Sequence, residues 1–555
     1  MVNWVLGRSK KHGRWENNMP IFTAIAAAIV GALALEGAAA AFALAAINFG
    51  LRALATVIIA SLIMRKSEQP GAQNGASAPT GTRVQLPPAT NNKLPVSYGN
   101  AYLSPVIIDA KISNDQQYMW YVMALTEVTE SGSINFDDPD NAGFPLVYWG
   151  DKKMNFNATT RYQVDSLTDS TGAVDTRVVD CMNVYFYSDG SFNPLYGAPA
   201  ADIVLSDDTT GGGIDSPYRW GLYDEMSKTA FAIVRIKYNQ TANLTGLQQF
   251  TAYTRNTLTA PGDVLFDYLF STRYGCAVPV ELINTSALDD LNTYSAETIT
   301  YNNDGSPATQ ARYTINGPID TTKDCLSNLI ELTEACDSWL QWNEQIGKWS
   351  VVINQSYEQA GQTVDDLFVV YADTVMADTG SSTPADNFAY CTTGIDITPM
   401  DLNSTYNRVE VQFPSKLIKD QTDYAYINLP TELINPNEPI NSLTIRLPQV
   451  NDSVQAQYIG TRRLGQSRDD LIVTLSTDYA GIQVDAGDII RVYHKQYGWD
   501  ETFNEGNGKL FRATQVQETK DESGNLGARL TLSEYSPNIY GDNRFIFTKS
   551  KYWYH

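Results

Sequence analysis

The chain has 555 residues, too many for a single hydrophobic core, which stops growing at roughly 250–300 residues, so several domains are expected. Its formal net charge of -23, with pI near 4.5, excludes a general nucleic-acid binder, since phosphate recognition needs clustered Lys and Arg, although repulsive charge suits a conduit through which DNA slides. The 43% apolar and 11% aromatic content, with 32 Tyr, is that of a strand-rich globular protein.

Residues 1–20 form a basic arm carrying Arg8, Lys10, Lys11 and Arg14, suited to an anionic membrane surface. The tract IFTAIAAAIVGALALEGAAAAFALAAINFGLRALATVIIASLIM follows, and residues 21–66 are expected to be a hydrophobic helical segment. Glu36 and Arg52 split the tract into pieces shorter than the roughly 20 residues a bilayer span needs, while its Ala and Gly favour close packing of identical helices about an axis. The residues that would plug a lumen or insert into a membrane are Ile21, Phe22, Ile25, Ile29, Val30, Leu33, Leu35, Phe42, Leu44, Ile47, Leu51, Leu54, Val57, Ile58, Leu62 and Met64. Residues 67–92, rich in Pro, Gly, Ser and Asn, read as a flexible linker.

From residue 93 onward, short runs such as PLVYWG, NVYFYS, FAIVRIKY and LIVTL alternate with turn clusters such as DSTGA, NNDGS and DESGN, predicting a mainly β body. Three helices interrupt it. In APGDVLFDYLFSTRYGC, the stripe Val264, Leu265, Tyr268 and Leu269 predicts a helix ended by Gly275 as C′ residue. In DTTKDCLSNLIELTEAC, Asp320 to Thr322 offer N-caps, and the hairpin WLQW…KWSVV follows. The third surrounds QAQYIGTRRLGQSRDD, ahead of LIVTLS.

Five cysteines at irregular spacing, without a C-x-x-C pair, read as small buried hydrophobes, and three histidines leave little scope for imidazole chemistry. No G-x-S-x-G, H-E-x-x-H or P-loop signature is present, and no cofactor is expected. The acidic run Asp137, Asp138 and Asp140 is a weak calcium candidate, or the carboxylate pair of a glycosidase, but Pro139 and Gly143 beside it favour a polar turn. The tail KSKYWYH reads as an arm that docks on a neighbouring protein.

Seven segments, taken in order, resemble the tail-tip hub family of tailed bacteriophages, which includes the host-specificity protein of lambda-like phages and the hubs of contractile phages. KLPVSYGNAYLSPVII resembles its opening "P-V-x-Y-G" pair, and QYMWYVMALTEVTES the next strand, with Thr126-Glu127-Val128-Thr129 in place of "S-E-G-E". DVLFDYLFSTRYGCAVP resembles the helix with "R-Y-G", and YTINGPIDTTKDCLSNLIELTEACDSWLQW the "N-G-x-I-D-T" element with its helix. NRVEVQFPS, AGDIIRVYHKQYGW and ARLTLSEYSPNIY resemble "N-R-V-x-V-x-Y-P", "G-D-x-I-x-V" and "L-x-E-Y-x-x-x-I-Y". Residues 131–235 match less well and are expected to hold an inserted or divergent region.

The resemblance implies two tail-tube-like β-barrel domains with peripheral α+β domains. A first barrel would cover 93–255, an α+β domain 256–355, a second barrel with its peripheral domain 356–540, and an arm 541–555. It further implies a non-enzymatic virion protein: a homotrimer at the tail tip that meets a hexameric tail-tube or distal tail protein, peripheral tip or fibre proteins, the tape-measure protein and, on ejection, the host membrane. Two other classes stay open on the residues alone, a membrane-anchored bacterial surface protein and a tail-associated glycan hydrolase.

Overall fold

The computed structural model describes residues 93–541, apart from 113–116, 190–194, 197–225, 374–386, 400–404 and stretches of one to three residues elsewhere. The basic arm, the apolar tract with all its plug residues, the linker and residues 542–555 lie outside the described residues.

The first part of the body is a pair of facing sheets. One holds, in spatial order, Met182–Tyr187, Thr229–Lys237, Tyr118–Glu127, Val96–Tyr98 and Gly317–Ile319, with Val106–Ile112 also paired to Tyr118–Glu127. The other holds Val174–Asp175, Val164–Thr168, Lys152–Phe156, Val147–Trp149, Phe250–Asn256 and Asn100–Leu103, with Ile134–Asn135 beside Phe250–Asn256. Strand periodicity sorts the side chains of the first sheet. Met123, Leu125, Val184, Phe186, Ala232 and Val234 face the second sheet and meet Leu103, Val147, Trp149, Met154 and Phe250. The alternate residues Trp120, Val122, Tyr185, Tyr187, Phe231 and Ile233 form a second buried cluster on the reverse face. Burial on both faces explains why NVYFY and FAIVRI read as unbroken apolar runs.

Helices α1 (Pro261–Phe270), α2 (Thr285–Ala296), α3 (Cys325–Ala335) and α4 (Ser453–Gln466) pack with two hairpins, Thr298–Asn303 with Ser306–Ala311 and Ser338–Asn343 with Lys348–Ile353. A three-stranded sheet, ordered Gln421–Asn428, Arg408–Ser415 and Ser442–Arg446, shares their core. The stripe Val264, Leu265, Tyr268 and Leu269 of α1 is buried as expected. Gly275 is not its left-handed terminator, because the helix ends at Ser271 in extended backbone. A Cβ on Gly275 would lie 2.0 Å from the Tyr268 carbonyl, so close approach is what requires glycine there. The cap of α3 is Asp324, accepting from Ser327 N–H at 2.8 Å, whereas Asp320 is spent on a turn, accepting from Thr322 N–H and Oγ1.

The last part is a seven-stranded sheet ordered Phe388–Tyr390, Phe368–Tyr371, Ile489–Tyr493, Lys509–Lys520, Leu526–Glu534, Leu471–Thr477 and Asp396–Pro399. It curls until Cys391 bridges Thr477, and Thr392 N–H reaches Ser476 O at 2.8 Å.

Among the described residues no sheet closes into a barrel, so the two expected barrels are corrected to a facing pair and a curled open sheet. The physical reasons are local. Gly99, at φ +58°, breaks one extended run so that Val96–Tyr98 and Asn100–Leu103 join different sheets. In the last sheet, contact between the curled ends is an isolated bridge rather than a ladder.

Candidate functional site

The segments that carry the family resemblance meet one another in space. Val96–Tyr98 pairs antiparallel with Gly317–Ile319, setting Val96 against Ile319 and Tyr98 against Gly317. At Gly99 a Cβ would stand 2.3 Å from the Ile315 carbonyl and 2.5 Å from Asn316 Oδ1, the oxygen that accepts Asn100 N–H at 3.0 Å. Gly317 (φ +144°) is also closely approached, though less tightly, with Pro448 O and Gln449 Oε1 each 2.9 Å from where its Cβ would be.

Asp267 of α1 stands at the centre of this first joint. Its Oδ2 accepts the hydroxyls of Tyr98 at 2.8 Å and Tyr274 at 2.6 Å, and its Oδ1 accepts the N–H groups of Glu130 and Ser131 at 3.0 and 3.3 Å. Burial raises its carboxyl pKa despite those four bonds, which pull the other way. Arg273, next to Tyr274, lies 3.3 Å from Glu127 and donates to the Val128 carbonyl. Asn256 donates to Ser97 O at 2.9 Å and Thr129 Oγ1 at 3.1 Å, while Thr126 Oγ1 accepts Ser97 N–H at 2.9 Å. Thus the residues standing where the family has "S-E-G-E" are gripped by "P-V-x-Y-G" and "R-Y-G".

A second joint ties the three-stranded sheet to the facing pair. Beyond Arg408–Ser415 the chain passes through Lys419 and Asp420, both left-handed at φ 57°. Asp420 Oδ2 accepts Tyr102 N–H at 2.6 Å, Asn451 Nδ2 donates to Asn100 O at 2.9 Å, and the Lys419 ammonium lies 3.9 Å from the Tyr148 ring centroid. Burial pushes the Asp420 carboxyl up from 3.8 to about 7, against the Tyr102 bond and the Lys416 charge.

That shift sets a pH dependence. The folded state holds this proton to about pH 7 while the unfolded chain releases it near its ordinary value, so the associated stability is present below about pH 4 and lost as pH rises towards 7. Asp488, raised by burial to about 6, adds to the same window. Asp420→Asn keeps an acceptor for Tyr102 and should therefore raise stability at pH 8 by about 1–2 kcal/mol while changing little near pH 4. Urea midpoints at both pH values test this, and equal midpoints for variant and wild type at pH 8 would sink it.

The third joint is a buried polar knot on α4. Arg462 donates to Asn354 O at 2.7 Å and to the hydroxyls of Tyr458, Tyr294 and Tyr313 at 2.7, 2.8 and 3.3 Å. Asp337 lies 3.7 Å from Arg462 and 3.0 Å from Arg463, and accepts from Asn354 Nδ2 at 2.8 Å. Asn354 Oδ1 in turn accepts Gln466 Nε2 and the hydroxyl of Tyr540, the last residue of "L-x-E-Y-x-x-x-I-Y". This constellation places no nucleophile beside a base. Its chemistry is cohesion, because it ties α4 to Tyr294, Tyr313, Asp337, Asn354 and Tyr540, which lie far from it in sequence.

No family model matches the sequence, and no curated protein matches it. Solved structures that the chain is similar to include one from the virion of a native gene transfer agent particle, with 13% identity, coverage of 95% of this chain and 99% of that one, and TM-score 0.47. Another is a tail protein from Neisseria meningitidis MC58, with 12% identity, coverage of 52% and 75%, and TM-score 0.28. A third is the 43 kDa tail protein of prophage MuSo2 from Shewanella oneidensis, with 10% identity, coverage of 81% and 99%, and TM-score 0.26.

The acidic residues singled out in the sequence lie apart from these joints' centres. Asp137 accepts the Tyr196 hydroxyl at 2.8 Å, and Asp138 pairs with Lys153 at 2.6 Å while accepting Asp140 N–H at 3.0 Å, in the tight turn between Asp137–Asp138 and Asn141–Pro145. Among the described residues no group of three His, Cys, Asp or Glu side chains is placed to hold a metal ion. His494 is buried against Tyr497 and Trp499, with Nδ1 3.5 Å from Asp373. Sequence reasoning missed Asp267, Asp337, Asp420 and Arg462. The one signal was Arg462-Arg463 inside an otherwise packed helix, which reads as exposed charge.

An outward surface completes the picture. Strand Gln421–Asn428 alternates exposed and buried residues, presenting Tyr424 and Tyr426 with ring centroids 6.4 Å apart and Arg408 4.8 Å over Tyr426. Tyr and Arg are among the residue types enriched at protein interfaces.

Proposed function

We propose that the chain is a structural virion protein, the central hub of a tailed phage's tail tip, which closes the tail tube and opens for DNA ejection into the host. The observation that carries this reading is the convergence at shared joints of motif segments spread over residues 95–540, in the order of the hub family. A chain selected as scaffold spends its particular residues on holding sheets together, as Tyr98, Asp267, Tyr274, Gly317 and Tyr540 are spent here.

In this reading the facing sheets and the curled sheet form the wall around an axial channel, and three copies present a pseudo-sixfold face to the hexameric tube. The Tyr424 and Tyr426 face meets a neighbouring copy or a peripheral tip protein. Residues 21–64 gather on the axis as the plug, next to the tape-measure protein, and on release insert with Arg8, Lys10, Lys11 and Arg14 into the host membrane. The net charge of -23 keeps DNA from adhering as it passes.

The test is the assembly state. A chain beginning at residue 93 should sediment and scatter light as a trimer whose interfaces bury more than about 2,000 Å², as obligate assemblies do. A monomer at micromolar concentration would overturn the hub reading.

A further inference from the structure

A cleft of about 680 Å³ opens between α2, the hairpin Ser338–Asn343 with Lys348–Ile353, and the curled sheet. Its lining is acidic: Asp290, Glu297, Asp366, Asp485 and Asp488 stand against a single described cation, Arg512. Glu297 is answered from behind by Arg312 at 2.8 Å. Asp290, on α2, and Asp366, just ahead of Phe368–Tyr371 and accepting Thr363 N–H and Oγ1 at 2.7 Å, are both exposed. Amides of Gln341, Gln355 and Gln362 and the apolar surfaces of Leu367 and Phe368 complete the walls, so the cleft suits a peptide that brings positive charge and aromatic rings.

The course of the chain points to which peptide. Tyr540, the penultimate described residue, is fastened to two lining residues: its carbonyl accepts Gln359 Nε2 at 3.3 Å, and its hydroxyl accepts Arg512 Nη2 at 3.3 Å. The described chain thus ends beside residues that line the cleft, and residues 542–555, DNRFIFTKSKYWYH, follow it in sequence. They carry Arg544, Lys549 and Lys551 against Asp542 alone, a net charge of +2 in a chain of -23, together with Phe545, Phe547, Tyr552, Trp553 and Tyr554. At about 3.3 Å per residue the segment can run the length of such a cleft and back.

We propose that this acidic cleft is the docking site of the chain's own C-terminal arm, with Lys549 and Lys551 set against Asp290 and Asp366. The arm is then held on its own body rather than offered to a neighbouring protein, as its composition alone suggested. Tethering favours this occupant over any free one, because a short linker supplies a high effective concentration.

The test uses the full chain and limited trypsin digestion, following cleavage after Arg544 by mass spectrometry. In the wild type this bond should be cut slowly, and faster as salt screens the pairing. Charge reversal in the arm, Lys549→Glu with Lys551→Glu, leaves the described fold untouched and should speed cleavage after Arg544 by about tenfold, the factor that about 1.4 kcal/mol of lost docking gives. Asp290→Lys with Asp366→Lys should do the same, and combining all four should restore protection. Cleavage that is equally fast in wild type and arm variant overturns the proposal, as does a quadruple variant no better protected than either double. Carbodiimide coupling in particles assembled from mixed isotopically light and heavy chains then identifies the donor. Cross-linked peptides of one isotope only are expected, and mixed pairs would show that a second copy supplies the arm, overturning docking on the same chain.

Discussion

Replacing Arg462 with methionine is expected to cost about 3–5 kcal/mol, the penalty for removing one member of a buried, hydrogen-bonded charge cluster. Methionine preserves much of the aliphatic stem, so little of the loss is packing. What remains is the buried Asp337 with Arg463 as its one cationic partner among the described residues, the three tyrosine hydroxyls Arg462 had engaged, and the carbonyl of Asn354 left without its donor. Because Asn354 also holds Tyr540 and Gln466, the damage should spread from α4 to the end of the body. Urea unfolding with an unchanged m-value would show it as a lower midpoint, and a loss under about 1 kcal/mol would mean that the knot adds no net cohesion.

Gly99→Ala should be as severe for a different reason. Two costs add: a side chain in the left-handed region, about 1–2 kcal/mol, and a methyl group forced against the Ile315 carbonyl, a backbone atom that cannot move without opening the joint beside it. The expected loss is about 3–5 kcal/mol or failure to fold. Gly305 provides the control, since it too has positive φ, at 83°, but nothing lies within 4 Å of its would-be Cβ. Gly305→Ala should cost only the conformational part, about 1 kcal/mol. Equal losses at the two positions would show that close approach at Gly99 is not what matters.

Local elements were legible in the sequence where a period expressed itself on one buried face. The stripe of α1 and the alternation Ala425, Ile427 inward against Tyr424, Tyr426 outward obey such periods. Runs such as NVYFY read as strands, although nothing in the reading said that both their faces are buried or which face meets which sheet. Barrel closure came from the resemblance alone; among the described residues the first body changes sheets at Gly99, and the curled ends of the last sheet meet at an isolated bridge. The joints stayed hidden because their residues are polar. Asp420 follows Lys416 and Lys419 like any surface turn, and Asp267 looks like the exposed carboxylate of an amphipathic helix. Only the meeting of distant segments turns these into buried groups, and periodicity carries no information about such meetings.

The joints also bear on how the chain can be made. Asn451 bonds Asn100 across 351 residues, and Val96 waits for Ile319 as its strand partner. At about 5–20 residues per second, a ribosome delivers Asn451 some tens of seconds after Asn100. Until Ile319 has been made, the edge of the first sheet at Val96–Tyr98 lacks its final neighbour, and every closure made later carries the loop entropy of a long separation. Closures of such long separation slow folding and leave a strand edge unpaired while the chain is being made, so the yield in the cell is expected to depend on temperature and chaperone supply more steeply than final stability would suggest.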